Sequence, residues 1–208
     1  MKKTIRVFLS VFISVFILLS SVTAFGASYN PDVKLYSESY ILVNLDDSSY
    51  PVVAEKNADK RMYPASLTKI VTAIVTLNKI QDIGLTTSMS QESYDILLGS
   101  GAQVAGIKVG DTLSVEQLLY LTLVHSACDA TEMLAEYVAG SREKFVVMMN
   151  EYAASLGCEN TNFTNPDGLH DENQYTTAKD LLKITLDALK NDTFVKISET
   201  KQYEYDGM

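Results

Sequence analysis

Pro64-Ala65-Ser66-Leu67-Thr68-Lys69 stands directly before an apolar run from Ile70 to Leu77, and the register between the two decides how the chain folds. Ile70, Val71, Ala73, Ile74, Val75 and Leu77 recur closely enough to predict a buried helix from Ser66 to about Lys79. Ser66 and Lys69 lie three apart, so on that helix both side chains project from one face within reach of each other. A serine hydroxyl is a poor nucleophile near pH 7 until a base takes its proton. A lysine serves as that base only when held neutral, by desolvation or by a neighbouring positive charge. Built into a core-facing helix, Lys69 meets the first condition. A serine at the start of a helix also sets its own backbone N–H where an oxyanion is received. The pair reads as an acyl-transfer nucleophile, Ser66, with its base, Lys69.

The same spacing occurs twice more, at Ser141-Arg142-Glu143-Lys144 and Ser198-Glu199-Thr200-Lys201. Ser141 follows Gly140 and precedes two charges, which predicts an N-cap on a solvated helix start. Ser198 lies among Glu199, Thr200 and Gln202, with no apolar face to bury its lysine. Context selects Ser66.

Sixty positions after Ser66, Val124-His125-Ser126-Ala127-Cys128-Asp129-Ala130 falls between two apolar helix patterns. With this segment the chain resembles the serine D-Ala-D-Ala carboxypeptidases, the low-molecular-weight penicillin-binding proteins of the β-lactamase/transpeptidase-like superfamily. The family's second motif is Ser-x-Asn, usually followed by Asp-Ala; Ser126 matches its serine and Cys128 stands where the Asn is expected. The resemblance runs on through Asn165-Pro166-Asp167-Gly168-Leu169, where the family usually reads Asn-Pro-His-Gly-Leu, and through His170 to Leu181. It covers roughly residues 35 to 195. It implies an α/β (α+β) domain in which an antiparallel sheet packs on a helical block, with the active site between them. It also implies that Ser126 relays a proton between Lys69 and the leaving amine. Cys128 becomes a candidate substrate-binding residue, although a thiol is a weaker donor and acceptor than an amide. Asn165, Pro166 and Gly168 are read as turn chemistry that supports the floor of the site. The family's third motif, Lys-Thr-Gly on a central strand, is absent from residues 1–208, so the expectation is a catalytic domain whose last strands follow residue 208.

Lys2, Lys3 and Arg6 precede an uncharged run from Val7 to Phe25 that exits through small residues at Val22-Thr23-Ala24. That pattern predicts a signal peptide over residues 1–26, cleaved after Ala24 or Gly26. The run is long enough to serve as an uncleaved anchor, and the small-residue exit favours cleavage. Residues 27–208 are then the incomplete catalytic domain. Without the leader, 14 Lys and Arg face 26 Asp and Glu, a formal net charge of −12. So acidic a chain argues against nucleic acid and against broad adhesion to anionic lipid. Export permits disulfides, but Cys128 occupies a motif position and a domain of this size does not depend on staples, so Cys128 and Cys158 are expected as free thiols. The two His and two Cys show no tetrahedral zinc spacing, and no metal or other cofactor is expected. His125 and His170 are read as structural or solvated.

Along the chain, Tyr40 to Leu45 and Val52 to Glu55 predict a hairpin around Asp46-Asp47-Ser48-Ser49-Tyr50-Pro51. Ser90 caps a helix through Leu98, and Ser114 with Gln117 forms a capping box for Val115 to Val124. Asp129 is expected to cap Ala130 to Ala139, with Gly140 as the stop, and Ser141 a helix through Leu156. Asn160 to Gln174 reads as a long polar loop, and Thr177 caps a final helix carrying Ala178, Leu181, Leu182, Thr185, Leu186 and Leu189 on one face.

The resemblance implies an exported, extracytoplasmic bacterial serine peptidase at the cell wall or on the outer face of the cytoplasmic membrane. Its partners would be the peptidoglycan stem peptide and, as inhibitors, β-lactams, with membrane association through a C-terminal anchor beyond this chain. The alternatives are a class A-like β-lactamase and a non-catalytic penicillin- or wall-binding protein. Glu159-Asn160-Thr161-Asn162-Phe163 lacks the Glu-x-x-Leu-Asn pattern of the β-lactamases, which disfavours the first.

Overall fold

β-rich residues on both sides of a polar turn form the first feature of the computed structural model, which describes residues 35–204. Strands β1 (Tyr40–Val43) and β2 (Val52–Lys56) pair antiparallel, Tyr40 opposite Lys56, with a bulge between Leu42 and Val43. The turn closes through Tyr50 N–H to Asp47 O (2.8 Å), and the Asp47 carboxylate accepts from both the backbone and the hydroxyl of Ser49. The predicted leader and its cleavage site lie outside the described residues. The chain divides into two units, the first ending at Lys56 and the second beginning at Asn57.

The second unit is built around one helix. A 3-10 turn, Ala65–Leu67, leads into α1 (Thr68–Lys79). β3 (Thr86–Ser88) and β4 (Thr112–Ser114) pair antiparallel on either side of α2 (Gln91–Leu97). Then come α3 (Val115–Val124), α4 (Cys128–Ala139), α5 (Arg142–Ser155), α6 (Ala178–Ala188) and α7 (Asp192–Ser198). Helix α1 is packed by α3, α4, α5, α6 and α7, which explains why it is buried on almost every face. Ala73, Ile74 and Leu77 enter a cluster with Leu118, Leu119, Met133 and Leu134. Val71 and Val75, one helical turn apart, enter a second cluster with Phe145, Met149, Phe163 and Ile184. Wedged between two cores, α1 is rigidly held, and so is whatever its first turn presents.

The caps expected at Ser90, Ser114 with Gln117, Ser141 and Thr177 are present, each side chain accepting from the backbone N–H three residues on. One expectation is corrected. Asp129 is not the cap of α4: the helix starts at Cys128 with Ala127 as N-cap. The Asp129 carboxylate reaches outward, accepting from the N–H groups of Ala105 (3.0 Å), Gly106 (2.9 Å) and Ile107 (3.0 Å). It thereby ties the irregular segment after α2 to the start of α4. The polar loop of residues 160–174 is present as expected and is partly buried. Asn165, Pro166 and Asp167 are buried, and bridges Met62–Thr176 and Asn162–Tyr175 hold its ends. Helix α7, capped by Asn191, and the short strands β3 and β4 were not expected. Among the described residues no helix is long and apolar enough to cross a membrane.

Candidate active site

Ser66 lies in the 3-10 turn at the N-terminal end of α1, where helix N–H groups lack partners, and its side chain is exposed. Lys69, in the first turn of the helix, is only 3% exposed. Both line one open cavity of about 560 Å3, together with Ile70, Thr122, Leu123 and Ser126. The three residues singled out as catalytic, Ser66, Lys69 and Ser126, are thus brought to one space from α1 and from the α3–α4 turn. Lys69 Nζ donates to the backbone carbonyl of Asp167 at 2.5 Å and to Cys128 Sγ at 3.5 Å. Its hydrogen bonds therefore anchor it to the floor of the site and leave the Ser66 hydroxyl free of it.

Two backbone outliers mark the same place. Ala65, beside Ser66, has φ +47° and Ser126 has φ +57°. A non-glycine residue in the left-handed region costs of order 1–3 kcal/mol, retained where the surroundings over-determine it. Around Ser126 those surroundings are plain. Ala127 N–H donates to Leu121 O (3.0 Å), Cys128 N–H donates to Gln103 O (2.8 Å), and the Gln103 side chain donates to His125 O. Around Ala65 the constraint is Gly168. A Cβ at position 168 would stand 2.0 Å from Ala65 O and 3.0 Å from Ser66 N. Only glycine permits this approach, and its φ of +87° suits it too. Asn165 holds the turn: its Oδ1 accepts from Gly168 N–H at 2.7 Å and its Nδ2 donates to Leu169 O at 2.9 Å. The expectation that Asn165, Pro166 and Gly168 shape the floor agrees with this geometry, and Thr72 adds a 2.6 Å bond to Pro166 O.

Cys128 sits beside Lys69, and burial pushes its thiol pKa up against the lowering pull of the lysine. It is only 4% exposed, does not line the cavity that Ser66, Lys69 and Ser126 share, and meets it only through its contact with Lys69. Cys128 and Cys158 are both free and buried. His125 Nε2 meets Tyr203 O at 2.8 Å and His170 packs edge-on against Tyr63, so neither faces Ser66 as a base. Ser141 caps α5 and Ser198 ends α7, so the other two tetrads do not assemble a site.

Sequence reasoning missed the groups behind Lys69. Glu132 and Asp167 are each 1% exposed, and Arg142 reaches both, at 3.0 Å from Glu132 Oε1 and 3.5 Å from Asp167 Oδ2. A signal existed: Glu132 is four residues after Cys128, hence on the same helix face. Among the described residues no group of His, Cys, Asp and Glu is arranged to hold a metal.

The model of the peptidase family described as D-alanyl-D-alanine carboxypeptidase matches residues 25–207. The D-alanyl-D-alanine carboxypeptidase DacC of Escherichia coli strain K12 is 38% identical over 175 residues, covering 81% of this chain and 43% of that protein. The D-alanyl-D-alanine carboxypeptidase of Streptomyces strain K15 is 37% identical over 156 residues, covering 71% of this chain and 53% of that protein. The crystal structure of a mutant Streptomyces K15 DD-transpeptidase superposes with a TM-score of 0.77 at 31% identity, covering 82% of this chain and 68% of the other. The chain spans about half the length of the curated relatives it matches. Motif order, the shared fold and a family match over nearly the whole sequence agree: the chain belongs to the D-alanyl-D-alanine carboxypeptidase family.

Proposed function

We propose that this protein is an exported serine carboxypeptidase that removes the terminal D-alanine from peptidoglycan stem peptides and is acylated by β-lactams at Ser66. The observation that carries the reading is the juxtaposition of an exposed Ser66 and a buried Lys69 in one cavity, with the strained Ser126 turn opposite. In this reading Ser66 Oγ attacks the carbonyl carbon of the penultimate D-alanine while Lys69 Nζ, as the base, takes its proton. The Ser66 N–H supports the oxyanion from the end of α1. Collapse breaks the C–N bond, and the proton returns through Ser126 to the departing D-alanine amine. Water then attacks the ester, releasing the shortened peptide and restoring Ser66.

The test uses the intact gene product with a fluorescent penicillin and with a peptide ending in D-Ala-D-Ala. A denaturation-resistant adduct and D-alanine release are expected, both lost in Ser66→Ala and retained in Ser198→Ala. Rapid penicillin turnover without D-alanine release would instead make it a β-lactamase. Absence of any adduct would make it a binder.

A further inference from the structure

Behind Lys69 lies a set of charges that the chemistry above does not use. Glu132 and Asp167 have side chains with no solvent exposure, and both share the single guanidinium of Arg142. Arg142 is the first residue of α5, a position where the helix dipole disfavours a cation, so its ion pairs hold it there against the field. Glu132 Oε2 is buried and has no hydrogen-bond partner, a costly position for the oxygen of an ionised carboxylate. Two carboxylates cannot both ionise cheaply beside one partly exposed arginine. Burial, and then hydrogen bonding toward Asp167, push the Glu132 carboxyl up to about 8. The groups facing it are Arg142 from α5 and Asp167 from the 160–174 loop, whose carbonyl binds Lys69 of α1. On α4 itself, Asp129 is engaged with residues 105–107, and Glu136 accepts from Ser90 and Ser93 of α2.

We propose that Glu132, Arg142 and Asp167 form a proton-dependent clamp that holds the Asp167 carbonyl against Lys69 Nζ. These are positioning residues for the serine–lysine chemistry, so the consequence for acylation rests on the function proposed above. The connection is short: Asp167 Oδ2 meets Arg142, Asp167 Oδ1 accepts from Leu169 N–H at 2.7 Å, and the same residue's carbonyl takes Lys69. With Glu132 protonated, Asp167 has a hydrogen-bond donor and an arginine as neighbours. With Glu132 ionised, a second buried anion pushes on Asp167, and the carbonyl loses its fixed position. Displacements of about 1 Å at such a support cost about 100-fold in rate.

The test is the pH profile of penicillin acylation in the intact gene product, together with carbon-13 NMR of labelled Glu and Asp carboxyls. Wild-type acylation is expected to fall above pH 8, by about tenfold at pH 9 for a one-proton step. Glu132→Gln, which keeps a hydrogen at every pH, is expected to remove that fall. Arg142→Met is expected to lower the rate about 100-fold, with partial rescue in Arg142→Lys. A fall above pH 8 that persists in Glu132→Gln overturns the clamp. The NMR titration judges the clamp even if no acylation occurs: a Glu132 carboxyl titrating near pH 8, with Asp167 shifting in the same step, supports it. A Glu132 carboxyl titrating below pH 5 overturns it.

Discussion

Gly168→Ala is the most demanding perturbation of the site, because the added atom has nowhere to go. Its Cβ would lie 2.0 Å from Ala65 O, 2.4 Å from Ala65 C and 3.0 Å from Ser66 N, all backbone atoms that no rotamer change can move. Restoring ordinary contact at 3.4 Å requires the two segments to part by about 1.4 Å. The left-handed backbone adds about 1–2 kcal/mol once a Cβ is present. Overpacking a tight contact typically adds about 1–3 kcal/mol. The stability loss is therefore about 2–5 kcal/mol. At about 2–4 °C per kcal/mol for a chain of this size, the unfolding midpoint falls by about 4–20 °C. The separation occurs at Ser66, so under the proposed function acylation should slow by about 100-fold in protein that remains folded. Gly157→Ala is the control: its φ is +71° but nothing lies within 4 Å of the added atom. It should cost only the backbone share, about 1–2 kcal/mol, and leave acylation alone. Thermal unfolding and the rate of fluorescent penicillin labelling measure both effects. If Gly168→Ala matches Gly157→Ala in midpoint and labels at the wild-type rate, the close approach of the loop to Ser66 is refuted.

Lys69→Ala should slow acylation by roughly 100- to 10,000-fold while leaving penicillin affinity little changed, since its proposed role is proton transfer; a normal acylation rate with weakened affinity would make it a binding residue. Cys128→Asn should label at least as fast as wild type, because an amide oxygen accepts from Lys69 better than a thiol does; a large loss would show that the site is adapted to sulfur. Stability should fall as pH rises from about 4.5 to about 8, because the folded protein keeps on Glu132 a proton that the unfolded chain releases in that window. The slope is at most about 1.4 kcal/mol per pH unit and vanishes above the folded value, and Glu132→Gln should remove this contribution. Urea midpoints measured across that range, with the same slope in both proteins, would count against a protonated Glu132.

What could be read from the sequence was local. The caps at Ser90, Ser114, Ser141 and Thr177 were legible because a cap bonds an N–H three residues away, so donor and acceptor are both in the same short string. The buried helix α1 was legible because its apolar residues cover nearly the whole run. That Ser66 and Lys69 open onto one cavity was legible from their three-residue spacing. Asp129 shows where this stops. Its position before Ala130 suggested a cap, yet its carboxylate serves a segment more than twenty residues earlier. Strands β3 and β4, three residues each, offered too short an alternation to detect.

The sequence by itself determined the scaffold helix and the placing of Ser66 and Lys69 at its start, because these depend on spacings of a few residues and on one apolar run. Only the tertiary structure decided what surrounds them. Lys69 meets the Asp167 carbonyl across 98 positions of chain, Gly168 comes against Ala65, and Arg142 joins Glu132 to Asp167 between two helices and a loop. None of these approaches has a periodicity or a local signature. Each exists because α1 is packed between two cores, which brings the loop of residues 160–174 beneath its first turn and turns a glycine, a carbonyl and a buried pair of carboxyls into parts of one site.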